Sequence, residues 1–431
     1  MKSATVYERI SRRIDAYEND MIQMQYELTS VPAMSPDNGG DGEFEKVQRV
    51  LSCLHKLKFP NTLHINAPDD RVSAGIRPNL IVHIPGRNPT ATVWILTHTD
   101  IVPPGEIGLW NGNPYKCRVL DGKIFGRGTE DNQQDLIASI FAAKAVLDEA
   151  NVPENSIGLA FVADEETASR FGLSYVLHHE KNPFRKSDII VVPDSGNEDG
   201  TMIEIAEKSI LWLRIKTIGR QCHASRPDLG KNALNAASQF IVALNDLYTI
   251  FDTYDPFYEP RTSTFEPTKK ESNIPNINTI PGEDIFYMDC RILPHYQLKD
   301  VLREIRNKAD EIERRFNVSI EITPVQDMQA PPPTPHDAPV VNALQKAVNY
   351  VYGVHATPQG IGAGTVAAVF RGKNYPVAVW SRVNHTAHQP NENCLISNMI
   401  GNAKVYAHLF MQSFDLELSA VNCGESSIHK E

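Results

Sequence analysis

Four short apolar runs, Leu80–Ile84, Val93–Leu96, Ile157–Val162 and Ile189–Val192, recur between segments with helical spacing such as Phe44–Leu57 and Leu136–Ala150. Apolar runs of this length bounded by turn residues read as buried strands. Their alternation with helices restricts the fold to an α/β class built on a mixed, largely parallel sheet flanked by helices. In such sheets ligands gather beyond the carboxyl ends of the strands. Those ends are where the chemistry-bearing residues fall: Val93–Leu96 runs into His98-Thr99-Asp100, Ile157–Val162 into Asp164-Glu165-Glu166, and Ile189–Val192 into Pro193-Asp194.

Near Ser209 the texture changes. Ile210–Ile218 and Asp284–Arg291 alternate as half-buried strands, Asn232–Leu247 and the highly charged Gln297–Phe316 read as helices, and Val318–Ile322 is a further strand. This β-α-β-β-α-β-like pattern predicts a smaller, more amphipathic α+β insert over residues 209–326. Residues 1–208 and 327–431 would form one discontinuous domain around it. The Pro-rich stretch Asp327–Pro339 reads as a stiff return connection, followed by the helix Val340–Tyr352, the segments Thr365–Phe370 and Val377–Trp380, and a final helix near Asn398–Phe414.

A chain of 431 residues is too long for one ordinary core, so two domains are expected. The formal net charge of −11 argues against nucleic acid as a partner, because no excess of Lys and Arg is available for phosphates. The six cysteines are scattered, with no CxxC or finger spacing, which indicates neither a structural zinc site nor a disulfide framework. The charged N-terminal pattern MKSATVYERISRRIDAYEND has no apolar core of a signal peptide, and no apolar run approaches the ~18 residues of a membrane span. A reducing, cytoplasmic setting is the expectation.

Each charged motif has an ordinary explanation when taken singly. His98 with Asp100 two residues on suits a metal ligand and the partner that fixes its tautomer, but a surface His beside an Asp is the commoner arrangement. Asp131 lies in Gly126-Arg127-Gly128-Thr129-Glu130-Asp131-Asn132, where glycines permit a tight bend and an Asp can simply cap a helix. The Glu165-Glu166 pair suits one metal ligand beside one proton acceptor, or a solvated loop. Asp194 opens a turn-like Asp-Ser-Gly, and His385 and His388 compete for one role. Together these residues supply imidazole and carboxylate ligands without thiolates, which suits an open catalytic site for zinc, cobalt or manganese.

The order of motifs resembles the M20 metallopeptidase family, which includes dipeptidases and N-acyl amino-acid deacylases. HTD, VPPG, Trp110, DGKIFGRGTED, DEE, a strand ending in Asp, CHAS, INTIP and AHQPNE carry the likeness from about Thr97 to about Glu392. The resemblance implies two divalent metal ions, zinc foremost with cobalt or manganese as alternatives. It implies that His98 and Asp194 hold one ion, Glu166 and His388 the other, and that Asp131 bridges them. Glu165 resembles the general base acting on a metal-bridging water, and Asp100 the partner of His98. The Ala-His-x-Pro-Asn-Glu pattern selects His388 over His385. His223, in Cys222-His223-Ala224-Ser225, resembles a histidine that closes over the site to stabilise an oxyanion, often across a dimer. Asn278 resembles a second lid residue. Arg291 resembles a contact for a substrate carboxylate, with a salt bridge on its own sheet as the equal alternative.

Two departures bear on the substrate, a small peptide or an N-acyl amino acid. Gly362-Ala363-Gly364-Thr365-Val366 has no Asp where the family often has Gly-Gly-Thr-Asp. Asp194 stands where Glu is commoner in deacylases and carboxypeptidases, which resembles aminopeptidases and dipeptidases. The competing reading from another class is a non-catalytic, metal-dependent binding protein, and within hydrolases a mononuclear enzyme is a further alternative.

Overall fold

The computed structural model describes residues 5–60, 62–150 and 152–414. A nine-stranded sheet organises the larger unit. At its centre Asn88–His98 pairs in parallel with Asn155–Val162 on one side and Ile189–Asn197 on the other. Ile189–Asn197 in turn pairs in parallel with Val377–Arg382. The antiparallel pairs are Thr62–His64 with Leu80–Ile84, Leu80–Ile84 with Asn155–Val162, and Met202–Glu207 with Val377–Arg382. The sheet is mixed and largely parallel, as the alternation of strands and helices predicts.

Side chains alternate across a strand, and the central strand shows why its apolar run is continuous. Val93 and Ile95 enter a core shared with residues of the helices Val6–Ala16, Gln134–Ala150 and Ile396–Met411, among them Ile14, Leu136 and Phe410. Trp94 and Leu96 enter a second core on the opposite face, with Phe184 and Phe370. Both faces are covered, so the strand has no polar face to alternate. The first helix is closed by a reciprocal cap in which Thr5 Oγ1 accepts from Glu8 N–H and the Glu8 carboxylate accepts from Thr5 N–H.

The segment after Ser209 forms a four-stranded antiparallel sheet in the order Thr264–Lys270, Glu283–Ile292, Ser209–Ile218, Ser319–Met328. Leu211, Leu213, Ile215, Phe286 and Met288 point into its own core, against Phe240 of the helix Ala233–Leu244 and Val301 and Ile305 of the helix Leu298–Phe316. This is the inserted α+β unit expected from the pattern. It returns one strand to the larger sheet: Tyr258–Glu259 pairs in parallel with Thr357–Ile361. That pairing escapes sequence reading because two residues carry too little periodicity to register.

The two sheets are joined through a single residue, Lys208, between Met202–Glu207 and Ser209–Ile218. Its buried Nζ donates to the carbonyls of Pro260 and Thr262 at 2.6 Å each. Where the chain returns, Ser209 Oγ accepts from Gln329 Nε2 at 3.0 Å and from Ala330 N–H at 2.9 Å. The crossings near Ser209 and Asp327 are therefore tied to each other. Among the described residues no helix is long and apolar enough to cross a membrane. Cys53, Cys117, Cys222, Cys290 and Cys394 are unpaired thiols, and Cys423 lies outside the described residues.

Candidate metal centre

The carboxyl ends of the central strands converge. His98 is the last residue of Asn88–His98, and Asp194 lies within Ile189–Asn197, which runs on past the apolar stretch instead of turning. Asp131 is in a bent turn ahead of the helix Gln134–Ala150, with φ −113° and ψ 94°, and its carboxylate faces His98 and His388 rather than a helix amide. Gly128 makes that turn at φ 85°, and a Cβ there would meet Gln133 Nε2 and Ile101 Cγ2 at 2.7 Å, a place that only glycine occupies without displacement.

Two groups of ligand-type atoms result, His98 with Asp131 and Asp194, and Asp131 with Glu166 and His388; within each, the atoms lie within 4.8 Å of one another. His98 Nε2 is 2.9 Å from Asp131 Oδ1 and 3.3 Å from Asp194 Oδ1. His388 Nε2 is 3.0 Å from Asp131 Oδ2 and 3.2 Å from Glu166 Oε2. Asp131 thus offers one oxygen to each group. The crowding of Asp131, Glu165, Glu166 and Asp194 around two imidazoles is unfavourable without added positive charge, and the donor set fits two divalent ions.

Electrostatics reflect the same crowding. Burial pushes the Glu165 carboxyl well up, and the nearby Asp194 adds to it. Burial and then Asp131 raise Glu166 to about 7 despite its contact with His388. Hydrogen bonds to Asp131 and Glu166 lift His388 to about 10. No donor among the described residues reaches the Glu165 side chain, so its carboxylate is unengaged beside the two groups.

Asp100 behaves differently from the simple picture of a carboxylate on the histidine. The nearest partner of His98 Nδ1 is the backbone carbonyl of Asp100 at 3.0 Å, with the carboxylate Oδ1 at 3.4 Å. The strand ends at His98, so the chain turns there and brings the carbonyl closer than the side chain. The Asp100 carboxylate accepts instead from the backbone N–H groups of Glu165 and Glu166, each at 3.0 Å. Behind it lies Lys46, fully buried and interacting with Asp100, Glu392 and Glu43. Burial lowers its ammonium to about 8.

The other residues singled out from sequence lie in or beside the inserted unit. His223 is exposed and its Nδ1 is 2.8 Å from Ser225 Oγ. It pairs with Thr279 across a two-residue ladder, and Ala224 N–H donates to the Asn278 carbonyl at 2.8 Å. His223 and Asn278 therefore share one small patch, but neither makes a hydrogen bond to the metal-type groups. Arg291 forks onto Asp289 at 2.6 and 2.9 Å and reaches the Gly362 carbonyl at 3.3 Å. Val366 is buried with Phe184, Phe370 and Val377, an apolar setting that suits Val and not Asp. The adjacent Thr365 is held by Glu207, which accepts its N–H at 3.0 Å and its hydroxyl at 2.7 Å.

Sequence reading did not single out Glu130, Glu392 or Lys46. Glu130 and Glu392 were visible only as parts of motifs, and no spacing signal marks their partners. A cavity of about 140 Å³ opens beside the first ligand group, lined by Asn132, Asp194, Ser195 and His385 among others.

The fold and this centre define a metallohydrolase. A sequence profile for peptidase family M20/M25/M40 matches residues 94–412; the chain belongs to that family. It is 41% identical over 407 residues to an uncharacterized metallohydrolase of Methanococcus maripaludis, covering 90% of this chain and 98% of that one. It is 24% identical over 398 residues to the succinyl-diaminopimelate desuccinylase of Rhodospirillum centenum, covering 90% and 95%. The crystal structure of human carnosine dipeptidase 1 superposes with a TM-score of 0.74 at 17% identity, covering 95% of this chain and 98% of that one.

Proposed function

We propose that this chain hydrolyses the amide bond of a small peptide or N-acyl amino acid with two divalent metal ions, zinc foremost. The observation that carries the reading is Asp131, whose two carboxylate oxygens face His98 and His388 separately. His98, Asp131 and Asp194 would hold one ion, and Asp131, Glu166 and His388 the other. Such a pair supplies Lewis acidity and a nucleophile at neutral pH.

The protein's own groups do the rest. Glu165, unengaged beside the two groups, takes the proton of the attacking water and delivers it to the leaving amine. Asp100 holds Glu165 and Glu166 by their amides. His223 stabilises the oxyanion once the inserted unit closes, Asn278 reaches the substrate beside it, and Arg291 contacts a substrate carboxylate. That last role requires Arg291 to exchange Asp289 for substrate. Homodimerisation belongs to the same reading, and exposed Leu234 and Val242 on the helix Ala233–Leu244 support it. A cytoplasmic setting agrees with the unpaired thiols.

The test is hydrolysis of free-amine dipeptides beside N-acetyl and N-succinyl amino acids, with zinc, cobalt or manganese and chelator controls. Turnover of dipeptides alone supports the aminopeptidase or dipeptidase reading drawn from Asp194. Turnover of N-acyl substrates alone makes it a deacylase. Metal binding with no hydrolysis of either set would favour a binding protein.

A further inference from the structure

His388 lies on an irregular segment between the strands Val377–Arg382 and Asn393–Leu395, and its own backbone has a positive φ of 62°. Its side chain is 55% exposed, so apolar packing does not fix it. The segment is held by Glu130. The Glu130 carboxylate accepts from the backbone N–H of Asn384, from Thr386 N–H at 2.5 Å and Thr386 Oγ1 at 2.8 Å, and from Ala387 N–H at 3.0 Å. Ala387 is the residue before His388.

The reverse relation also holds. Glu392, four residues after His388, is fully buried and reaches into the turn that carries Asp131. Its Oε1 accepts from Glu130 N–H at 3.0 Å and Asp131 N–H at 3.1 Å, and its Oε2 from Gly128 N–H at 3.0 Å and Arg127 Nη1 at 2.5 Å. The two loops exchange carboxylates, each one gathering the backbone amides of the other. Hydrogen bonds from amides to a buried carboxylate are charge-assisted and strong, so each loop is shaped before any ligand arrives.

We propose that Glu130 and Glu392 are positioning residues with different targets. Glu130 sets His388, and so serves the Asp131–Glu166–His388 site alone. Glu392 sets the backbone of Asp131, and so serves both sites. The inference rests on the dinuclear reading above and adds what this chain uses to preorganise it. Partners that orient metal ligands typically matter by about 10–100-fold in affinity.

The experiment is equilibrium titration of the chelator-treated full chain with cobalt or zinc, resolving the number of ions and the affinity of each. Circular dichroism and thermal melting check the fold of every variant. Glu130→Gln is expected to leave one ion at wild-type affinity and weaken the other by about 10–100-fold. Glu392→Gln is expected to weaken both. Glu130→Asp keeps the charge but shortens the reach, and is expected to reproduce the one-site loss where Glu130→Gln folds poorly. Wild-type affinity at both sites in the Glu130 variants, or an equal loss at both, would overturn the proposal. Fewer than two ions bound by the wild type would overturn the dinuclear reading itself, a result readable before any variant is made.

Discussion

Asp100 grips Glu166 by its backbone: Asp100 Oδ2 accepts the Glu166 N–H at 3.0 Å, while Oδ1 takes the neighbouring Glu165 N–H at the same distance. One carboxylate beyond the central strand thus orients two residues beyond the next strand. The Asp100 backbone carbonyl at the same time holds His98 Nδ1.

Asp100→Ala should therefore damage the centre at two places. It releases the Glu165–Glu166 turn and leaves Lys46 without one of its buried counter-charges. A fall of about 10–100-fold in metal affinity or kcat/KM is expected, measured by metal titration and steady-state kinetics. Unchanged values for both would show that the amide contacts do not govern the turn.

Glu165→Gln keeps the shape of the side chain and removes its basicity. Both metal ions should still bind, because Glu165 belongs to neither ligand group. Turnover should drop by about 10²–10⁴-fold or more. Near-normal kcat with intact metal content would assign the proton transfer to another group.

Metal removal should lower stability as well as activity. Asp131, Glu166 and Asp194 repel one another once no cation stands between them. Readdition of zinc at 100 times its dissociation constant should restore about 2.7 kcal/mol of stability, visible as a rise in Tm by calorimetry. A Tm indifferent to chelator and zinc would count against a folded-state metal site.

A second buried cluster, around Arg371, predicts a pH effect of its own. Arg371 Nη2 serves both Glu204 and Glu207, at 2.8 and 2.6 Å, and all three side chains are buried. One guanidinium charge cannot neutralise two buried carboxylates, and burial with Glu207 nearby lifts Glu204 to about 8. The folded state therefore holds a proton that the unfolded chain releases near its ordinary value of about 4.3. This contribution is complete below that value and is lost as pH rises through about 8. Glu204→Gln, which mimics the protonated form, should gain stability relative to wild type on going from pH 6 to pH 9. Thermal melts across that range check it, and a constant difference would refute the shared proton.

Much of the architecture was legible in local pattern. Leu80–Ile84 has the same bounds in sequence and structure, and the helix Pro339–Tyr352 begins one residue earlier than its periodicity suggests. These segments announce themselves because burial imposes a period on neighbouring residues. The apolar pattern of the strand Ile189–Asn197 extends only as far as Val192, since its last residues are polar. They remain extended through pairing with Val377–Arg382, a partner that no local window contains. The helix Ala367–Arg371 is likewise too short to show a period.

The sequence by itself determined which residue types stand at the strand ends and in what order, because strand burial and turn chemistry act over a few neighbours. His98, Glu165, Glu166 and Asp194 stand after strand-like runs on that basis, whereas Asp131 and the choice of His388 over His385 rest on the resemblance of the motif order to the M20 family. Only the tertiary structure decided what holds them. Glu130 meets the His388 segment across 254 to 257 residues of chain, and Glu392 meets the Asp131 turn across 261. A buried carboxylate must find donors wherever the fold supplies them. Those donors are backbone amides, which every residue carries and which therefore leave no mark in the sequence.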